Sequence, residues 1–249
     1  MYSKTGVDNI HPVEMEVVMK ILETTDLSKT FGRFTALDNV NLSIDCGKIV
    51  GLLGPNGSGK TTLLKLLNGL LIPTGGTITI GGYAPGDITK SHVSYLPDSN
   101  YFPRWMKVTE LLEYFSDFFA DFDSERAIYM LNTLNIATSM KLAHMSKGTL
   151  EKVQLILAMS RKASLYCLDE PIGGVDPATR EYILNTIVGN YHEESTVIIS
   201  THLISDVENI LDEAIFLQNG QIRLHAGVDE IREKENKSID TLFREVFKC

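Results

Sequence analysis

The sequence predicts an α/β protein with a mainly parallel sheet, an N-terminal antiparallel β-subdomain and an inserted α-helical subdomain. Three observations carry that expectation. The run IVGLL at 49–53 is continuously apolar, as a central strand covered on both faces requires. Strand-like LYCL at 165–168 and TVIIS at 196–200 are separated by the helical stretch ATREYILNTIVGNY, the alternation that builds parallel sheets. Between about 103 and 163 strand signals vanish and helical spacing takes over.

The elements follow in order. Residues 1–20 carry little pattern and read as an N-terminal extension. From Ile21 to Phe31 and from Val40 to Ile44 apolar and polar residues alternate, Val40, Leu42 and Ile44 facing one way and Asn41, Ser43 and Asp45 the other. This marks half-buried antiparallel strands. A glycine-rich turn after residue 53 leads into TTLLKLLNGLL, which has helical spacing, and GTITIGG and VSYL read as further strands. The insertion reads as the helices VTELLEYFSDFF, SERAIYMLNTL and TLEKVQLILAMSRK. Near the end, Ile239, Leu242, Phe243, Val246 and Phe247 recur at helical spacing, predicting an amphipathic helix packed on the core or against a second subunit.

With 43% apolar and 22% charged residues over 249 positions, the chain can bury a substantial core. Its 32 acidic residues outnumber 23 basic ones and are spread along the chain, so a nucleic-acid partner is disfavoured. Cys46, Cys167 and Cys249 are odd in number and form no CxxC pair, which argues against a disulfide framework or a zinc site and suits a reducing cytoplasm. No apolar stretch approaches the ~18 residues of a membrane span, and residues 1–17 lack the apolar run of a leader. Any role at a membrane is expected to pass through a partner chain.

The segment GPNGSGKTT at 54–62 matches G-x-x-x-x-G-K-[ST] between a strand and a helix. Gly54, Gly57 and Gly59 let the backbone curl with its N–H groups inward, so the loop of Gly54, Pro55, Asn56, Gly57, Ser58, Gly59, Lys60, Thr61 and Thr62 is the candidate phosphate cradle. Lys60 is placed to reach the β- and γ-phosphates and Thr61 to offer its hydroxyl to Mg²⁺. In LYCLDEP, Asp169 and Glu170 emerge at the carboxyl end of a strand, where open parallel sheets bind ligands. Two adjacent acids there suit a division of labour, Asp169 holding the metal and Glu170 orienting the attacking water.

From about Ile21 to Ala226 the sequence resembles the ATP-binding subunits of ABC transporters. After the phosphate loop come LPD at 96–98, MSKGT at 145–149, LYCLDEP, GGVDP at 173–177 and STH at 200–202, each where that family places its glutamine loop, signature motif, Walker B strand, D-loop and switch histidine. The resemblance implies a P-loop NTPase core over 21–226, with the helical subdomain at about 99–163 and a helical tail over 227–249. It implies ATP and Mg²⁺ as ligands, and Glu170, His202 and Lys60 as the catalytic set. Phe31 resembles the aromatic on which adenine stacks; Ser146 and Gly148 resemble signature residues that cap the γ-phosphate held by another subunit; Asp176 resembles the D-loop aspartate at the subunit boundary. Thr61, Asp98 and Asp169 are the implied metal set.

Two motifs depart from the family pattern. Asp98 stands where most members carry glutamine and, when ionised, cannot donate a hydrogen bond; Lys147 and Thr149 replace the first glycine and the glutamine of LSGGQ. Together they resemble a subgroup of exporter-like subunits whose signature reads SKG. The implied partners are a separate integral membrane permease and a second ATP-binding subunit, a homodimer being favoured by the full motif set in one chain. The implied location is peripheral, on the cytoplasmic face of the membrane. Two alternatives stand beside this: a regulatory cassette that closes on ATP but hydrolyses it poorly in a heteromeric complex, and a nucleic-acid- or ribosome-associated ABC ATPase.

Ten aromatics lie between residues 95 and 129. Helical spacing predicts Phe115, Phe118, Phe119 and Phe122 as the insertion's core, whereas Tyr101, Phe102 and Trp105, in a loop beside Asp98, are expected to be exposed and to receive a short cytoplasmic helix of a membrane subunit.

Overall fold

The computed structural model describes residues 19–190 and 194–247, so most of the expected N-terminal extension and Cys249 lie outside the described residues. Strands β1 (Lys20–Phe31) and β2 (Phe34–Asp45) form a hairpin, and β4 (Gly75–Ile80) pairs with the other edge of β1, giving a three-stranded antiparallel sheet ordered β2-β1-β4. The second sheet is built from β3 (Ile49–Leu53), β5 (Val93–Leu96), β6 (Leu165–Asp169), β7 (Thr196–Thr201), β8 (Glu213–Gln218) and β9 (Gln221–Gly227). Its order is β5-β6-β7-β3-β8-β9, parallel throughout except for the antiparallel edge pair β8 and β9. The fold class therefore agrees with the sequence.

Alternation in the central strands explains why both faces need cover. In β3, Val50 and Leu52 pack toward the antiparallel sheet and α1 (Lys60–Leu67), while Ile49 and Leu53 pack toward the opposite layer. In β6, Leu165 and Cys167 share the first layer, and Tyr166 and Leu168 the second. Short α2 (Asp87–Lys90) precedes β5. The helical insertion follows as α3 (Val108–Phe118), α4 (Ser124–Thr133) and α5 (Lys147–Met159), with a core of its own built from Val108, Leu111, Phe115, Leu131, Val153 and Ile156 among others. After β6 come α6 (Pro177–Asn190) and, past β7, the short α7 (Ile204–Val207).

The chain ends in α8 (Val228–Glu235) and α9 (Ile239–Phe247). Of the two packings open to the terminal helix, the structure shows the intramolecular one. Ile239 and Phe243 are buried, and the Phe243 and Phe247 rings lie 5.4 and 5.9 Å from Phe216 of β8.

Two aromatic expectations are corrected. Phe102, expected exposed, is only 7% exposed, its ring 5.9 Å edge-on from Phe115. Asn100 holds it inward by accepting from the Phe102 backbone N–H at 3.1 Å. Phe118, expected in the core, is 68% exposed, because α3 ends there and the side chain falls on the outer face against Tyr114, 4.5 Å between ring centres. Tyr101 and Trp105 are exposed as expected.

Arg161 joins the insertion to the sheet. Buried and just past α5, it donates to Asp121 at 3.0 Å, to the Val93 carbonyl at 2.7 Å and to the Lys90 and Ser91 carbonyls, and its guanidinium lies 4.0 Å from the Phe119 ring centre. A buried guanidinium with this many acceptors fixes the angle between the two layers.

Candidate active site

The loop between β3 and α1 is shaped by backbone demands that only glycine meets. Gly59 has φ +111, and a β-carbon there would lie 2.6 Å from the Ala36 carbonyl oxygen; one at Gly54 would lie 2.3 Å from the Leu217 carbonyl oxygen. The loop therefore sits directly on β2 and β8, leaving a cavity of about 250 Å³ above it. Asn56, Gly57, Ser58, Gly59, Lys60, Thr61, Thr62, Asp98 and Glu170 line this cavity, and Phe34 and Ala36 form its side. Gly54 and Pro55 lie beneath, their carbonyls accepting from the Lys60 ammonium at 2.8 and 3.3 Å. Burial pushes the Lys60 ammonium pKa down, and Glu170, whose Oε1 is 3.5 Å away, opposes that.

Asp169 ends β6 at 1% exposure. Its Oδ1 accepts from Ser200 of the neighbouring strand at 2.5 Å, while Oδ2 is buried without a partner. Burial raises its pKa, the Ser200 and Thr61 hydroxyls pull it down, and Asp98 and Glu170 raise it further. A buried carboxylate with one free oxygen is an incomplete arrangement that a cation completes. Ser58 Oγ is likewise buried and unpartnered inside the loop. These orphaned atoms, the inward glycine backbone and the carboxylate set fit a phosphate chain with a hard divalent cation.

Glu170 is held by its backbone. Its N–H donates to the Ser200 carbonyl at 2.9 Å, and its φ is +50. Among the described residues the other non-glycine positions with positive φ are Asp or Asn, which tolerate that region, so Glu170 stores strain of about 1–3 kcal/mol. Strain of this kind is kept where it aims a functional side chain. Both Glu170 carboxylate oxygens lie 3.1 Å from His202 Nδ1, at the end of adjacent β7.

The structure thus brings together Lys60, Thr61, Thr62, Asp98, Asp169, Glu170 and His202 around one loop. It does not bring Ser146, Gly148 or Asp176 into the cavity lining. Ser146 is the N-cap of α5, its Oγ accepting from the Thr149 N–H at 3.1 Å; Asp176 caps α6, accepting from the Thr179 N–H and hydroxyl at 3.0 and 2.6 Å, bonds that hold its carboxyl below the usual range. Phe31 is also outside the lining, with the Lys29 ammonium 5.0 Å over its ring; its hairpin partner Phe34 stands at the cavity instead. Sequence reasoning passed over Phe34 and Ser200. The signals were an aromatic just past the Gly32 turn and the serine beginning STH.

The comparisons agree with this architecture. Residues 37–173, more than half of the chain, match the family model described as ABC transporter. A Synechocystis protein named an uncharacterized ABC transporter ATP-binding protein is 31% identical over 235 residues, which cover 88% of this chain and 65% of that relative. The Bacillus subtilis SkfA peptide export ATP-binding protein SkfE is 28% identical over 222 residues, which cover 87% of this chain and 93% of that relative. A solved structure described as the ATP binding subunit of an ABC transporter superposes with a TM-score of 0.83 at 28% identity, covering 91% of this chain and 99% of that one. The chain belongs to the ABC transporter family and is an ABC-type ATP-binding ATPase domain.

Proposed function

We propose that the chain hydrolyses ATP to power transport, in the export direction, through a separate membrane permease, closing as a head-to-tail homodimer with nucleotide at each interface. The observation that carries this reading is the placement of Glu170, strained at a strand end, aimed at the phosphate loop and contacted by both Lys60 and His202.

Each residue has a role that its position supports. Lys60 would exchange its carbonyl partners for phosphate oxygens, and Asp169 and Thr61 would hold the metal. Bound Mg²⁺ supplies neutralisation of phosphate charge. Glu170 accepts a proton from the attacking water, and His202 orients that carboxylate. Ser146 is exposed at the start of α5 and outside its own cavity, which suits capping of the nucleotide held by a second subunit. The resemblance of MSKGT to exporter-like signatures and the name of the SkfE relative support the direction.

A groove of about 470 Å³ between sheet and insertion, walled by Tyr95, Tyr101, Tyr114, Phe115 and Phe119, supports the permease partner. Asp98 lines this groove and the phosphate cavity alike, so a segment seated in one adjoins the chemistry in the other. Among the described residues no helix is long and apolar enough to cross a membrane.

The test is size-exclusion chromatography of Glu170→Gln with and without Mg-ATP, beside ATPase assays of the unaltered chain. An ATP-dependent dimer with lost turnover supports the reading; a monomer that binds ATP contradicts the homodimer. One observation favours a second reading, a regulatory cassette: Asp98 adds a negative charge at the cavity. Negligible turnover by the unaltered, ATP-binding chain would select it.

A further inference from the structure

Lys147 is the first residue of α5, directly after the cap Ser146. A cation there opposes the helix dipole, so the local helix does not favour it. Its contacts lie elsewhere. The ammonium is 3.6 Å from Glu151 Oε1, one turn along α5. It also fills the space beside Gly174, where a β-carbon would come within 2.8 Å of Nζ. Gly174 has φ +71, so its lack of a side chain serves both the turn and the ammonium.

The Lys147 side chain is 73% exposed and that of Glu151 only 23%. Glu151 is partly buried, with Oε2 buried and unpartnered; burial raises its pKa and Lys147 opposes the rise. A second contact runs in parallel: a β-carbon at Gly148 would lie 3.6 Å from Thr179 Oγ1 and 3.8 Å from Asp176 Oδ2. The loop also closes onto Glu170, because the Gly173 N–H donates to the Glu170 carbonyl at 3.0 Å and a β-carbon at Gly173 would lie 3.2 Å from that oxygen. Lys147, Gly174, Gly173 and Glu170 thus form one contiguous path within a chain.

We propose that Lys147 is a positioning residue that locks the loop 171–176 to the start of α5, so that closure of the signature segment on one nucleotide sets the placement of Glu170 at the other. The inference rests on the dimer reading above. On this reading the charge matters, because the Glu151 carboxylate, 3.6 Å away, is the acid paired with the ammonium beside Gly174.

The test uses the full chain and measures kcat, KM and the Hill coefficient for ATP, with melting temperature alongside. Lys147→Met keeps the stem and removes the charge. It is expected to lower kcat about tenfold, the scale of a small misplacement of a reacting group, and to bring the Hill coefficient toward one, with KM and melting temperature unchanged. Lys147→Arg retains activity. Glu151→Gln reproduces the loss, and the double variant is no worse than either single one. Lys147→Met with unaltered kcat and Hill coefficient overturns the inference, as does a kcat loss matched by a fall in melting temperature. An unaltered chain that neither hydrolyses ATP nor dimerises as Glu170→Gln overturns the dimer reading and this inference together, an outcome distinct from the first two.

Discussion

His202 Nδ1 lies 3.1 Å from each carboxylate oxygen of Glu170, the two residues leaving adjacent parallel strands at the register Asp169 opposite Ser200. His202→Ala is expected to lower kcat by about 10²-fold or more with little change in the KM for ATP, since the loss falls on proton transfer rather than binding. Steady-state ATPase kinetics check this, and a change confined to KM would contradict it.

Asp169 is ionised at a cost, and Asp169→Asn separates stability from activity. Its folded pKa is raised, so the folded state binds the proton more tightly than the unfolded state does. The stability this gives is present below the ordinary carboxylate pKa and is lost as pH rises through the raised value. Nucleotide- and metal-free Asp169→Asn should lack that decline and melt no lower than the unaltered chain at neutral pH, while losing metal-dependent turnover. Melting curves across pH read the first and ATPase assays the second.

Phe34 borders the cavity and Phe31 does not. Phe34→Ala is expected to weaken ATP binding about tenfold, the scale of losing one stacked base, and Phe31→Ala to weaken it less. Titration with a fluorescent ATP analogue distinguishes the two, and a larger effect at Phe31 would favour the assignment drawn from the family resemblance.

Trp105, 67% exposed, and Phe118 offer apolar surface on the insertion without supporting its core. Trp105→Ala and Phe118→Ala should leave melting temperature and basal ATPase unchanged and reduce co-sedimentation with membranes from the native cell. Phe102→Ala should instead destabilise the fold by about 3–5 kcal/mol, because it empties a packed position. Equal melting temperatures for Phe102→Ala and the unaltered chain would refute the burial seen here.

Much of this molecule is legible in one dimension because its signals are local. The apolar run 49–53, the glycine spacing of 54–59 and the acids at the end of LYCLDE are each dictated by a backbone conformation or a strand end, and each lies where the chain places it. The aromatics of the insertion were less legible. Phe102 and Phe118 exchanged their expected environments, because helical spacing gives a face but not the residue at which α3 stops, nor the Asn100 contact that turns Phe102 inward.

What the sequence determined by itself is the α/β order, the glycine loop proposed as the phosphate cradle and the acids placed at the end of β6, since glycine stereochemistry and apolar periodicity act over a few residues. The tertiary structure alone decided which groups meet: Ser200 on Asp169, His202 on Glu170, Phe34 rather than Phe31 at the cavity, and Lys147 over Gly174. Those pairs are separated by tens of residues along the chain. Their contact depends on strand order, on the register between β6 and β7 and on the angle at which Arg161 holds the insertion, all set by packing across the whole core rather than by any local preference.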